Sequence, residues 1–467
     1  MEHAKPSSRR QFLKLSGLAG AASILPGCNT VANTEVKPVG QAKNVIYLMV
    51  DGLCNGTVGL AHHWQLRHKA TPLNWMQLFE HEGLHRAYQD TASANSPVTD
   101  SAAAASAWGS GHRVNNGSIN VDPSGKSLKP ILSYAKEVGK ATGLVTSCRI
   151  THATPAGFST SVPKRGMEDA IAQQYLEREI DVLLGGGARH FLQTQEDGSV
   201  IDYLPQFEAK GYQIVKTASE LSAVRGSGSL LGLFSKSHIP YAIDRQNDRA
   251  YKDVPNLVDM FRAALNQLEG MKDGFVLQVE GGRVDHAGHG NDAGCILHEF
   301  LEFDACIPIA LEFIESHPDT MLVVTTDHGT GGCQLDGAGS AYLDSGPALD
   351  RINQLRHSFE WLQQSFEATG KFDPVLLKTA LGIDPTDTQA AIVQTALDAE
   401  VQYLSGALNQ AFGKQLNELT AVGWTSDKHT SECVEFFAFG PGSEKIPPLI
   451  KNYEIFGILT KALGIKV

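Results

Sequence analysis

Apolar and polar positions follow two textures along this chain. Across most of it, short runs rich in β-branched and other apolar residues alternate with helical patterns: Asn44 to Val50, Thr142 to Thr146, Ile180 to Leu184, Phe275 to Val279, Met321 to Thr325 and Val434 to Phe439. Uninterrupted apolar runs of this length suit strands covered on both faces. The pattern therefore predicts an α/β fold, a mostly parallel central sheet with helices on both sides. From 332 to 422 the texture changes to Leu, Gln and Ala with few β-branched runs. There Leu349, Ile352, Leu355, Phe359, Leu362 and Phe366 recur every three or four residues and predict one amphipathic helix, and a second helical pattern covers Asp387 to Phe412. Residues 332–422 are expected to form a largely helical insertion folded onto the core domain.

Three of the predicted strands are followed at once by a carboxylate: Asp51 after the first, Glu280 after Val279, and Asp327, with His328, after Thr325-Thr326. Open α/β sheets bind ligands beyond the carboxyl ends of their strands, so these positions gain weight as site residues. Taken alone, Asp51 reads more readily as a turn former or helix cap than as a ligand.

The 467 residues, 42% hydrophobic and 19% charged, have the composition of a compact globular protein. A net charge of -12 without a basic stripe argues against nucleic acid as a partner. An anionic substrate stays open, because bound divalent cations can reverse the field inside one pocket. Ser8-Arg9-Arg10-Gln11-Phe12-Leu13-Lys14, followed by an apolar stretch from Leu15 to Pro26 too short to span a bilayer, reads as a twin-arginine export signal. Leu25-Pro26-Gly27-Cys28 resembles a lipoprotein cleavage box with Cys28 as the lipidated residue. The expected organisation is a signal peptide over 1–27, a membrane tether over 28–42 and a folded domain over 43–467, placed in the periplasm or at the cell surface. The other six cysteines include no C-x-x-C pair, which disfavours a cysteine zinc site or a thioredoxin-like motif and leaves free thiols and disulfides both open.

Val98-Thr99-Asp100-Ser101 opens a run of Ala and Ser, a helix start where the Ser101 hydroxyl would sit among free N–H groups at the positive end of the dipole. It could be a cap or a nucleophile. With no G-x-S-x-G elbow around it, a nucleophile here would be activated by metal rather than by histidine. Val279 to His289 holds Glu280, Asp285, His286 and His289, and the four-residue step from Asp285 to His289 lets both reach one ion if the segment is helical. Trp424 to Thr430 adds His429 before the last strand. Mixed His and carboxylate donors suit zinc; an all-oxygen set suits magnesium. Gly125-Lys126-Ser127 imitates the end of a P-loop, but Asn120 stands where its first glycine belongs, so no nucleotide site is expected there.

In this order, these blocks and Thr151-His152-Ala153-Thr154-Pro155-Ala156-Gly157 resemble the alkaline phosphatase family from about Val45 to Gly442, with the helical insertion least covered. The resemblance implies that family's three-layer α/β sandwich. It also implies hydrolysis of phosphate monoesters to alcohol and inorganic phosphate, through a phosphoserine, at a site with two zinc ions and one magnesium. Matched by position, Ser101 is the nucleophile; Asp51, Asp327 and His328 bind the zinc beside it, and Asp285, His289 and His429 bind the other. Asp51 is shared with magnesium, which also takes Thr154 and Glu280. Arg165 matches the phosphate-binding arginine, whose planar fork can grip two oxygens, and Asp100 is placed to orient it. His152 and His286 fall where other members carry Asp, Lys or Trp, close to the metals, and so bear on the third site's metal preference. Small phosphorylated substrates are the implied partners, with a homodimer as an allowed assembly. Among rivals, a phosphodiesterase of the same superfamily often has Thr as nucleophile and lacks the arginine grip, and a sulfatase needs a C/S-x-P-x-R setting. A non-catalytic metal- or phosphate-binding lipoprotein would be expected to have lost ligands, and none is missing.

Overall fold

The computed structural model describes residues 41–194 and 198–467; the twin-arginine segment, Cys28 and the tether as far as residue 40 lie outside the described residues. Ten strands form one sheet: β1 (Asn44–Val50), β2 (His85–Asp90), β3 (Ala141–Arg149), β4 (Val182–Gly186), β5 (Gln213–Val215), β6 (Leu230–Leu233), β7 (Phe275–Gly281), β8 (Thr320–Thr326), β9 (Val434–Phe439) and β10 (Leu449–Lys451). Their spatial order is β10-β2-β9-β8-β1-β7-β3-β4-β6-β5. Only β9 runs against its neighbours, antiparallel to both β8 and β2, and the other pairings are parallel.

Strand β1 explains why the apolar runs are uninterrupted. All seven of its residues are buried. Ile46, Leu48 and Val50 enter one apolar core, and Val45, Tyr47 and Met49 enter the other, on the opposite face. Side chains alternate across a strand, so one continuous run feeds two layers of packing.

All six predicted strands are present. Four more, β2, β5, β6 and β10, lie toward the two edges of the sheet, and only β2 and β6 exceed three residues. The predicted ends shift in two places that matter. β3 runs on through Cys148 to Arg149, and β7 includes Glu280, which lies opposite Met49 on one side and Thr146 on the other rather than following the strand.

Four helices position the residues discussed below: α1 (Ser101–Ser110), α2 (Ala153–Ser159), α3 (Arg283–His289) and α4 (Phe359–Glu367). Between 332 and 422 the short strands Gln334–Leu335 and Val422–Gly423 pair antiparallel and close the segment at its base. The single helix expected from Leu349 to Phe366 is two. Leu355 is extended at φ -71°, ψ 124°, and Ser358 then caps α4 by accepting a hydrogen bond from Trp361 N. The spacing survives the break because Leu349, Ile352, Leu355, Phe359, Leu362 and Phe366 are all buried, on the helices and in the break alike. The second pattern also divides, into Asp387–Asp398 and Ser405–Thr420, with Glu400 at φ 50° in the left-handed turn between them. Among the described residues the six cysteines are unpaired, and no helix is long and apolar enough to cross a membrane.

Candidate active site and metal centre

The carboxyl ends of β1, β7 and β8 and the N-termini of α1, α2 and α3 meet in one crater. Asp51 follows β1 and is fully buried. Ser101 is the first residue of α1, and its Oγ lies 3.4 Å from Asp51 Oδ1 and 3.4 Å from His328 Nε2. Asp100 is the N-cap of that helix. Its Oδ1 accepts from Ala103 N at 2.9 Å, while Oδ2 accepts from Gly117 N at 3.0 Å and from Arg165 Nη1 at 3.1 Å. One carboxylate therefore fixes both the start of the serine's helix and the arginine. Arg165 Nη2 donates to His152 Nε2 at 3.1 Å, and about a third of the Arg165 side chain, 32%, remains open to solvent.

On the other side of the crater α3 is helical as its four-residue spacing required, and His289 Nε2 lies 3.5 Å from Asp285 Oδ1. His429 arrives from the short strand His429–Thr430, which pairs with Gly329–Thr330; its Nε2 lies 3.4 Å from the same oxygen and 3.0 Å from His289 Nε2. Both rings have a backbone carbonyl at Nδ1, Asp427 O at 2.7 Å and Thr99 O at 2.8 Å. These carbonyls accept the Nδ1 proton and leave both Nε2 lone pairs aimed at one point, an arrangement typical of histidine ligands. Thr330 Oγ1 donates to Asp285 Oδ1 at 2.6 Å, a contact between residues 45 apart that no local spacing marks.

Donor atoms converge in three groups here, each within 4.8 Å: Asp51, Asp327 and His328; Asp285, His289 and His429; and Asp51, His152 and Glu280. Thr154 Oγ1, at the start of α2, is buried without a hydrogen-bond partner, as are Asp51 Oδ2, Glu280 Oε1 and Asp327 Oδ2. Buried polar atoms left unpaired cost roughly 1–3 kcal/mol each, so four oxygens orphaned in one crater point to ligands from outside the chain. The electrostatics agree. Burial and the neighbouring carboxylates push Asp51 well above the usual carboxylate range, and burial carries Glu280 and Asp327 to about 7. Asp285 goes the other way: burial opposes its ionisation, but His289 and His429 hold it well below the usual range. His429, in spite of burial, is raised to about 9 by Asp285. Cations among these oxygens would satisfy the orphaned atoms and the crowded negative charge together, so the residues present fit bound metal.

The remaining two sequence-picked residues also face this region. His152 is buried with Nδ1 unpartnered, and His286, on α3, stacks edge-on against it with centroids 5.5 Å apart.

A family model described as alkaline phosphatase matches residues 42–465. Alkaline phosphatase 3 of Bacillus subtilis is 33% identical over 471 residues, covering 97% of each chain. The repressible alkaline phosphatase of Saccharomyces cerevisiae is 32% identical, covering 85% of this chain and 76% of its own. In three dimensions, the crystal structure of Thermus thermophilus alkaline phosphatase superposes with a TM-score of 0.82 at 33% identity, over 95% of this chain and 96% of that one. The crater of strand-end carboxylates and the likeness along nearly the whole chain lead to one conclusion: this chain belongs to the alkaline phosphatase family and is a metal-dependent phosphomonoesterase.

Proposed function

We propose that the chain hydrolyses phosphate monoesters by two successive displacements through a phosphoserine on Ser101, over two zinc ions and one magnesium. The observation that carries this reading is the setting of Ser101 Oγ, 3.4 Å from Asp51 and from His328, on a helix whose capping residue also anchors Arg165. Asp51, Asp327 and His328 would hold one zinc and Asp285, His289 and His429 the other. Asp51, Thr154 and Glu280 would hold magnesium, which an all-oxygen donor set suits. When bound, such ions stabilise charge on attacking and leaving oxygens and lower the pKa of a hydroxyl or water. The chain's own groups do the positioning. Arg165 grips two non-bridging oxygens of the phosphoryl group and, tied to Asp100 and His152, cannot swing away. Ser101 Oγ bonds to phosphorus as the ester P–O bond breaks, at the positive end of the α1 dipole, where Asp100 takes the N–H groups of Ala103 and Ala104 and leaves those of Ser101 and Ala102 for the developing charge. The alcohol leaves with a proton. Water then bonds to phosphorus from the vacated side, the Ser101–phosphorus bond breaks, and Ser101 regains its proton as phosphate leaves. Acid-quenching the enzyme during turnover of a labelled aryl phosphate should leave the label on Ser101; label on another residue overturns the assignment.

We further propose export in the folded state by the twin-arginine route and anchoring through lipid on Cys28. The paired arginines, the short apolar run and Leu25-Pro26-Gly27-Cys28 support this. Cys28→Ser should move the enzyme from the membrane fraction to the soluble one, and unchanged membrane association would refute the anchor.

A further inference from the structure

We propose that Cys148, His238 and His286 form an additional binding site for a soft divalent cation of the zinc class, separate from the three positions assigned above. The residues come from three elements: Cys148 from the end of β3, His238 from the loop after β6, and His286 from α3. One donor atom of each lies within 4.8 Å of the others. Cys148 Sγ is 4.0 Å from His286 Nδ1, and the His238 and His286 rings meet edge to face with centroids 4.5 Å apart. A thiolate with two imidazoles selects zinc over magnesium and leaves a fourth tetrahedral position open. Nothing in the sequence marks this site, because its ligands lie far apart along the chain and C-x-x-C spacing is not how it is built.

The surroundings suit neutral imidazole ligands. The two guanidinium groups nearby are paired with carboxylates, Arg149 with both oxygens of Glu168 and Arg283 with Glu360 at 2.8 Å; Arg283 Nη1 also lies 3.2 Å from His286 Nδ1, and a cation taking that nitrogen displaces this N–H. His238 is also not settled by the protein alone. Arg149 aims its backbone N–H at Nδ1, at 3.3 Å, and its guanidinium Nη1 at Nε2, whereas a neutral ring accepts at only one nitrogen. A cation that takes one ring nitrogen leaves the other as an N–H donor, so Arg149 gives up both contacts with this ring when the cation binds. On binding, the S–H bond breaks, a sulfur–metal bond forms, and the proton passes to solvent.

The distinguishing test uses sulfur, because no ligand of the three other positions carries it. The full chain is stripped with a chelator and reloaded with cobalt(II), and thiolate-to-cobalt charge transfer is followed in the near ultraviolet, with cobalt content measured alongside. The wild type should show the band, Cys148→Ser should abolish it, and His238→Ala, which leaves every thiol in place, should weaken cobalt binding at this site at least about tenfold. Absence of the band in the cobalt-loaded wild type, or a band that persists unchanged in both variants because another thiol such as exposed Cys433 produces it, overturns the proposal. Neither result bears on whether Ser101 carries the phosphoryl group.

Discussion

Two groups of buried carboxylates can be compared within this one molecule. Asp51, Glu280 and Asp327 line the crater at the strand ends, and Asp244 and Asp292 lie beneath the N-terminus of α4. None of the five is more than 5% exposed, and burial raises Asp292 to about 7 just as it raises Glu280 and Asp327. Beneath α4, however, every carboxylate oxygen is used. Asp292 accepts from Cys295 N at 3.0 Å and Phe359 N at 2.8 Å; Asp244 accepts from Ser358 N at 2.9 Å and Ser358 Oγ at 2.6 Å. In the crater one oxygen of each carboxylate is left over. Burial and a raised pKa therefore mark a helix anchor as readily as a reaction centre, and the unsatisfied atom is what separates them.

Each region has a buried serine, and the pair gives the largest expected contrast. Ser101→Ala should lower kcat by on the order of 10³-fold or more while leaving metal content and unfolding midpoint nearly unchanged. Ser358→Ala removes the cap of α4 and should lower stability by about 1–2 kcal/mol with kcat kept within about twofold. Steady-state turnover of an aryl phosphate and urea unfolding check both. If the two serines cost the same activity, the distinction between the regions fails.

The aspartates divide in the same way. Asp327→Asn should release metal and lower activity by at least about 100-fold. Asp292→Asn should keep the metal and lose about 1–3 kcal/mol, because an amide has only one acceptor oxygen for two N–H donors. Acidity adds a second readout. Asp327 and Glu280 ordinarily titrate at 3.8 and 4.5 and reach about 7 in the metal-free fold. Between these values the folded state binds more protons than the unfolded one, so this contribution to stability is present at low pH and lost as pH rises toward 7. Chelator-treated wild type should show that decline, and Asp327→Asn should flatten it. Metal loading should also flatten it, while the share due to Asp292 persists whether or not metal is bound.

Arg165→Ala comes next in size. The guanidinium is held from both sides, at 3.1 Å each, with its free edge open to substrate. Losing charged hydrogen bonds of about 1.5–3 kcal/mol should weaken inhibition by inorganic phosphate about 10- to 100-fold. Monoester turnover should fall more than diester turnover, since a diester offers fewer free charged oxygens to the fork. Equal losses on the two substrates would remove the argument for a grip on monoesters.

The crater was legible in the sequence where side-chain type and local spacing determine placement. Asp51, Asp327 and His328 adjoin apolar runs, Asp285 and His289 share one helix face, and Asp100 reads as the cap before Ser101. Backbone partners left no trace, because a carbonyl such as Thr99 O or Asp427 O belongs to every residue type equally. The break before α4 was hidden for a related reason: the three-and-four spacing continues through extended Leu355, since burial rather than helix continuity sets it. Strands β5 and β10, three residues each, are too short to show a period. The Cys148, His238 and His286 group depends entirely on how distant elements meet.

The smallest expected effect concerns His152, which stands with Asp51 and Glu280 in the third donor group yet is neutral, its pKa pushed well below the usual value by burial and by Arg165. Its Nδ1 is another orphaned atom of the crater. His152→Asp would put a carboxylate where a ring now stands, and added negative charge beside an all-oxygen site should raise magnesium affinity by about tenfold. The same change gives Arg165 Nη2 a charged partner in place of a neutral one at 3.1 Å, so the arginine is held more firmly and phosphate release shifts slightly. Asp51 links this group to one of the positions proposed for zinc, but residue 152 is in neither of the proposed zinc donor sets, so both should keep their occupancy. Magnesium titrations of zinc-loaded wild type and variant, followed by calorimetry, measure the difference; curves that superimpose would show that His152 does not act on this site.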